Sequence, residues 1–165
     1  MGLIVRLLSL AALLGVFVPL GISREVDTWE YDRLFKEADL VVIAEATSVS
    51  DTPDHPTDEF LRKHVLGQDT KFKVEYALKG KASGNQITVL HYQLKNGITG
   101  ILNGPMLVTF RTKPVEVKVK GEDARKIQPS YLLFLKLRKD GRYEPVSGET
   151  DPRDSVREIN FPPSR

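Results

Sequence analysis

A chain of 165 residues with 24 Lys+Arg and 22 Asp+Glu has the length of one domain and is close to charge balance. That balance argues against the strongly basic surface of a nucleic-acid binder. The lack of any Cys excludes disulfides, thiolate nucleophiles and cysteine metal sites, so the fold has to rest on its apolar core.

Residues 1–23 read as a signal peptide. Met1 to Arg6 is a short, singly basic start, and Leu7 to Leu20 is an apolar run with Gly15 and Pro19 towards its end. Gly21 and Ser23 place small residues at the −3 and −1 positions of a cut before Arg24. A bilayer span needs about 20 apolar residues, and this run is shorter and broken by proline. No Cys follows it, so a lipoprotein anchor is excluded. Cleavage removes Arg6 and no acid, so the whole-chain pI of 8.8 belongs to the precursor and the mature charge falls to +1. The expected location is therefore secreted or periplasmic/cell envelope, with membrane contact only transiently through the signal peptide. A disulfide-free exported chain points towards bacteria. The single domain expected over 24–160 leaves 161–165 as a loose C-terminal tail.

Asp27 to Ala38 predicts a helix, with Asp27 and Glu30 spaced as a capping box and Tyr31, Leu34, Phe35 and Ala38 on one face. Trp29, the only tryptophan, suits a hydrophobic lid at the helix start. Leu40 to Val49 is a β-branched strand whose small alanines permit close backbone approach. Ser50 to Asp69 reads as an acidic, proline-containing loop, with one or two helical turns over Glu59 to Leu66. Thr70 to Leu78 alternates as a half-exposed strand ending at Lys79-Gly80. Ser83-Gly84-Asn85 turns the chain into Gln86 to Tyr92, with His91 expected near the barrel rim.

Leu94 to Gly104 mixes apolar residues with glycines. Two roles are open for Ile98, Ile101 and Leu102: a plug for one end of the core, or an adaptable binding loop. Met106 to Phe110 and Val115 to Val119 predict strands, and Gly121 to Gln128 a charged loop.

Pro129 to Gly148 is the centre of the pattern. Tyr131 to Leu137 is apolar on both alternating faces until Lys136, as in a strand that starts buried and emerges at its end. Asp140-Gly141 signals a two-residue type I′ hairpin. Tyr143 to Val146 returns beside the first strand, with Pro145 confined to a strand end or sheet edge. Ser155 and Glu158 have the spacing of a second capping box, on a short helix to Ile159. One helix and six or seven short strands make a mainly β chain, a small OB-like antiparallel β-barrel with an N-terminal helix.

Catalytic patterns are sparse. There is no His-Glu-x-x-His and no Gly-x-Ser-x-Gly around Ser147. Asp51, Asp54, His55, Asp58 and Glu59 lack the spacing of a calcium loop, so no metal site is expected. Glu144 with Glu149, and Asp151 with Asp154, read as surface charges rather than a glycosidase pair. No cofactor is implied.

Ala38-Asp39-Leu40-Val41-Val42 opening a long strand, Phe72 to Leu78 closing on Lys79-Gly80, and then YLLFLKLRKDGRYEPVSG carry a resemblance. Over about Ala38 to Gly148 the chain resembles a group of short exported bacterial proteins of unknown function. More distantly, it is similar to the OB-like barrels of the tissue-inhibitor-of-metalloproteinases and netrin-module superfamily. Those inhibitors chelate a protease zinc through an N-terminal Cys, which this chain lacks, so no inhibitory residue carries across. The expected function is a non-enzymatic exported module that binds an unknown protein or envelope component. The alternative is an exported hydrolase with its site at the loops 50–69 and 94–104.

Overall fold

The computed structural model describes residues 28–98, 104–117, 124–149 and 151–159. The expected signal peptide over 1–23, Asp27, the loop residues Ile101 and Leu102, and the 161–165 tail lie outside them.

Helix α1 (Tyr31–Glu37) precedes β1 (Leu40–Thr52). Helix α2 (Glu59–His64) then leads into β2 (Val65–Lys79) and β3 (Gln86–Leu94). A separate two-stranded ribbon pairs β4 (Val115–Val117) with β5 (Arg125–Ile127). The chain returns as β6 (Ser130–Leu137) and β7 (Tyr143–Pro145), then a 3-10 turn over Pro152–Ser155, and finally β8 (Val156–Ile159). Strand order is β1-β2-β3-β7-β6, and β6 pairs back onto β1 to close five strands into a barrel. All these pairings are antiparallel except β3 with β7. This is an OB-like arrangement. Strand β8 adds to the other part of β6, from Ser130↔Ile159 to Leu133↔Val156.

Closure follows from the sequence of β1. Leu40, Val42, Ala44 and Ala46 face inward and are buried, packing with Phe72, Val89, Tyr131, Leu133 and Leu135. Three register shifts between β1 and β2 curl the pair, the bending that a small barrel needs. The opposite face of β1 is covered where α1 crosses it: Leu34 and Ala38 bury against Val41, Phe134 and Val146. Trp29 packs at this patch as the expected lid, with the Arg33 guanidinium 3.7 Å above its ring. Strand β6 is buried from Ser130 to Leu135, Leu132 only partly, and emerges at Lys136, as its pattern requires.

The stretches that carried the resemblance meet at one barrel end. Asp39 N donates to Leu135 O, and Asp39 Oδ2 accepts from Leu137 N. Gly80 lies so close that a β-carbon there would come 2.2 Å from Asp39 O, and its φ is +75°. Lys79 sends its ammonium to the carbonyls of Phe35 and Lys36, capping α1.

Several expectations change. The loop expected from Ser50 to Asp69 is shorter, because β1 runs on to Thr52 and β2 begins at Val65, the two pairing out to Thr52↔Gly67. Met106 to Phe110, expected as a strand, forms none among the described residues; Met106 N and Arg111 N donate to the Asp151 side chain and the Tyr131 hydroxyl. Part of the charged loop expected from Gly121 to Gln128 is β5, paired with β4. The hairpin is not a two-residue turn. Gly141 N donates to Arg138 O and Arg138 N to Arg142 O, so three residues turn, with Gly141 at φ +84°. That is the three-residue hairpin with a left-handed glycine. The helix expected from Ser155 to Ile159 is β8, because the free edge of β6 accepts a strand while the Ser155 hydroxyl donates to Ser147 Oγ instead of capping.

Candidate binding site

Two loops named for the hydrolase alternative do meet. Lys95, just past β3, donates its backbone N–H to His64 O at 3.0 Å and its ammonium to Lys63 O at 2.9 Å. The contact caps the C-terminus of α2, where backbone carbonyls lack helical partners. Around it, Leu61, Val65, Leu90 and Tyr92 form a buried cluster with Leu94 and Leu107 packed against it.

Ile98 stands beside this cluster and is half-buried. It lines a cleft of about 450 Å³ with Leu94, Lys95, Asn96, Pro105 and Leu107. One wall is the end of β3 with its loop. The other is the Pro105–Thr109 run, which forms no strand among the described residues.

A charged cluster lies where the β6–β7 hairpin meets the loop before α2. Arg142 donates to Asp54 through both terminal nitrogens, at 2.7 and 2.9 Å, to Asp69 at 2.8 Å and to Asp140 at 2.7 Å. Arg138 pairs with Glu144 at 2.5 Å. The Arg142 hydrogen bonds hold the Asp54 carboxyl far below its usual range and bring Asp140 to about 2. Reciprocally, Asp54 and then Asp140 push Arg142 upward. Thr52 Oγ1 donates to Asp54 as well. The sequence carried its members apart, Asp54 among the loop acids and Arg142 beside Asp140-Gly141; from the three-residue turn Arg142 reaches all three carboxylates.

His91 is not at the rim. It is 2% exposed, its Nε2 is 2.7 Å from Thr70 Oγ1, and its ring meets Phe110 edge-on at 4.8 Å. Burial lowers its pKa to about 4, opposed only in part by the backbone of Val108 and Tyr92. It stays neutral at pH 7 as a core residue.

Ser147, Glu149, Asp154 and Asp58 are engaged structurally. Ser147 Oγ donates to Asp151 O and accepts from Ser155. Glu149 accepts from Thr57 N and Thr57 Oγ1, Asp154 from Trp29 N, and Asp58 caps α2 through Leu61 N. Among the described residues no three His or acidic side chains are grouped to hold a metal. No family model, curated protein or solved structure matches the chain.

Proposed function

We propose that this chain is an exported, non-enzymatic binding module whose partner, a protein or another envelope component, engages the cleft at Ile98. The single observation that carries this reading is the cleft itself. It combines half-buried apolar side chains, the exposed Lys95 and Asn96, and the Pro105–Thr109 run, which forms no strand among the described residues. OB barrels commonly bind ligands on the β2–β3 face and the flanking loops. In this chain Leu61 of α2 packs on Val65, Leu90 and Tyr92 and Arg142 pairs with Asp69, so part of that region is covered and the Ile98 cleft lies beside it. The acids, His91 and Ser147 are held in structural contacts, which favours binding over hydrolysis.

The signal-peptide pattern supports an envelope or extracellular address. Intact mass of exported protein should start at Arg24, and retention of residues 1–23 in a membrane fraction overturns the address. The likeness to metalloproteinase-inhibitor barrels supports a binding role without their zinc chemistry. The Arg24-started protein should leave zinc metalloproteases active; tight inhibition would place another group on the metal.

A photo-crosslinker at Asn96 in the native envelope tests the cleft. Ile98→Ser with Ile101→Ser should abolish the captured species while changing stability by less than about 1 kcal/mol, since Ile98 is only half-buried. Unchanged capture, or a stability loss of about 2 kcal/mol or more, assigns the loop to plugging the barrel.

A further inference from the structure

The sheet face beside α1 carries apolar side chains that the helix leaves open. Ile43 is paired with Tyr76 on one side and Leu132 on the other, and Leu132 with Arg157. Residues directly opposite each other point to the same side of a sheet, so these four form one row across β2, β1, β6 and β8. Val42, Ala44, Tyr131 and Leu133, their neighbours along the strands, line the core, so the row faces outward. Helix α1 covers the next outward row, Val41 and Phe134. Ile43 and Leu132 are half-buried, and Tyr76 is 64% exposed.

Helix α1 walls this row on one side. Tyr31 and Phe35, four residues apart, share one of its flanks and stay 55% and 45% exposed. The Tyr31 ring lies 5.9 Å from Phe134 and its hydroxyl 3.4 Å from Arg157 Nε, at the β6–β8 end. Phe35 lies at the β2 end, with the Lys79 ammonium 5.4 Å from its ring. Three aromatic rings and two aliphatic side chains therefore line a shallow groove parallel to α1, about 14 Å long over three strand spacings. Contiguous exposed apolar groups of this kind mark interaction surfaces.

The two ends of the groove carry opposite charge. At the β8 end Arg157 donates only to neutral acceptors, Arg153 O, Val156 O and the Tyr31 hydroxyl, and it has no carboxylate partner among the described residues. At the β1–β2 end Glu45 sits opposite Ser130, whose hydroxyl donates to Glu75 Oε2 at 3.4 Å. Burial, and then the neighbouring Glu75, raises the Glu45 carboxyl above its ordinary range, opposed in part by Lys73 across the ladder. A helix laid beside α1 matches this polarity in one direction only, because its N-terminus is positive and its C-terminus negative. We propose that this face docks an amphipathic helix of a partner protein, about ten residues long, antiparallel to α1, with its N-terminus at Glu45 and Glu75 and its C-terminus at Arg157. The face is separate from the Ile98 cleft, and its test is independent of any partner found there.

The probes are two fluorescein-labelled, lactam-stapled helical peptides of that length, both with Leu at i, i+3, i+4 and i+7. One carries Lys in its first turn and Glu in its last; the other has these charges exchanged. Titrated with the full exported chain and followed by fluorescence anisotropy, the first should bind with a Kd of about 100 μM or tighter, and the second about tenfold more weakly. Tyr76→Asp should weaken the first peptide at least about tenfold with the circular dichroism of the chain unchanged, since this side chain is largely exposed. Glu75→Lys with Arg157→Glu should reverse the preference between the peptides, and Glu75→Lys alone, at an exposed position, should narrow it. The proposal is overturned if neither peptide saturates, if both bind alike, or if Tyr76→Asp binds like the parent chain. Equal binding of a proline-interrupted first peptide overturns it in favour of an extended occupant. A dimer of the chain alone in sedimentation, dissolved by Tyr76→Asp, overturns it in favour of a second copy.

Discussion

Single residues decide both the pH behaviour and the barrel's tightest approach. His91 has a folded pKa of about 4 against an ordinary value of 6.5, because burial disfavours its charged form. Between those values the unfolded chain binds more protons, so stability is complete above pH 6.5 and falls as pH drops towards 4. The loss approaches about 3 kcal/mol at its limit, from the free-energy equivalent of the shift. His91→Gln should flatten that part of the pH–stability curve relative to the parent in denaturant titrations. Parallel curves between pH 4 and 6.5 would mean that His91 carries its charge in the fold. Gly80 is restricted twice, by positive φ and by the Asp39 carbonyl where a β-carbon would sit. Gly80→Ala should therefore destabilise by more than about 1 kcal/mol, with β2 and α1 loosening together because Lys79 caps the helix. An unchanged Tm would remove this contact from the closure of the barrel.

At the scale of elements, the β6–β7 hairpin is tied to the loop before α2 by one side chain. Arg142→Met leaves Asp54, Asp69 and Asp140 without their shared cation and should cost about 1–3 kcal/mol at neutral pH. Asp54 and Asp140 have depressed folded pKa values, so their contribution is present above pH 3.8 and is lost as pH falls through the folded values. The variant should accordingly approach the parent's stability below about pH 3; a constant difference down to pH 2 would assign the cost to lost packing instead. How much of this was legible differs from element to element. Residues 131–137 announced β6 because apolar residues on both alternating faces have few other solutions. The helix expected at Ser155 failed because Ser-x-x-Glu is a local signal, whereas β8 is set by an open edge on β6 that only the assembled sheet provides. Met106 to Phe110 was apolar enough for a strand and forms none among the described residues, since pairing depends on which backbone lies alongside. The Ile98 cleft was half visible, through apolar residues among glycines; its opposite wall at Leu107 was not. The Arg142 cluster stayed hidden because its members come from segments far apart in sequence.

The molecule closes through its most distant pairing, Leu40 on Leu135, which joins β1 to β6. Val108 and Phe110 enter the same core from a run that belongs to no strand, and Phe110 meets Phe72, His91 and Tyr131 edge-on at 4.8 to 5.1 Å. Interior and closure therefore depend on each other: without β6 on β1 the core opens, and without Phe110 it has a hole. Such non-local topologies fold slowly, on the order of milliseconds to seconds. One cooperative transition is expected, with Trp29 fluorescence on the α1 patch and far-UV circular dichroism of the strands giving the same midpoint. Leu135→Ala should lower that midpoint by the equivalent of about 2–5 kcal/mol, and Phe110→Ala by about 3–5 kcal/mol, without separating the two probes. A Trp29 transition that precedes the strand signal would make α1 a detachable cover. A loss below about 1 kcal/mol for Phe110→Ala would show that the Pro105–Phe110 run lies on the barrel without filling it, and that this wall of the Ile98 cleft is free to move.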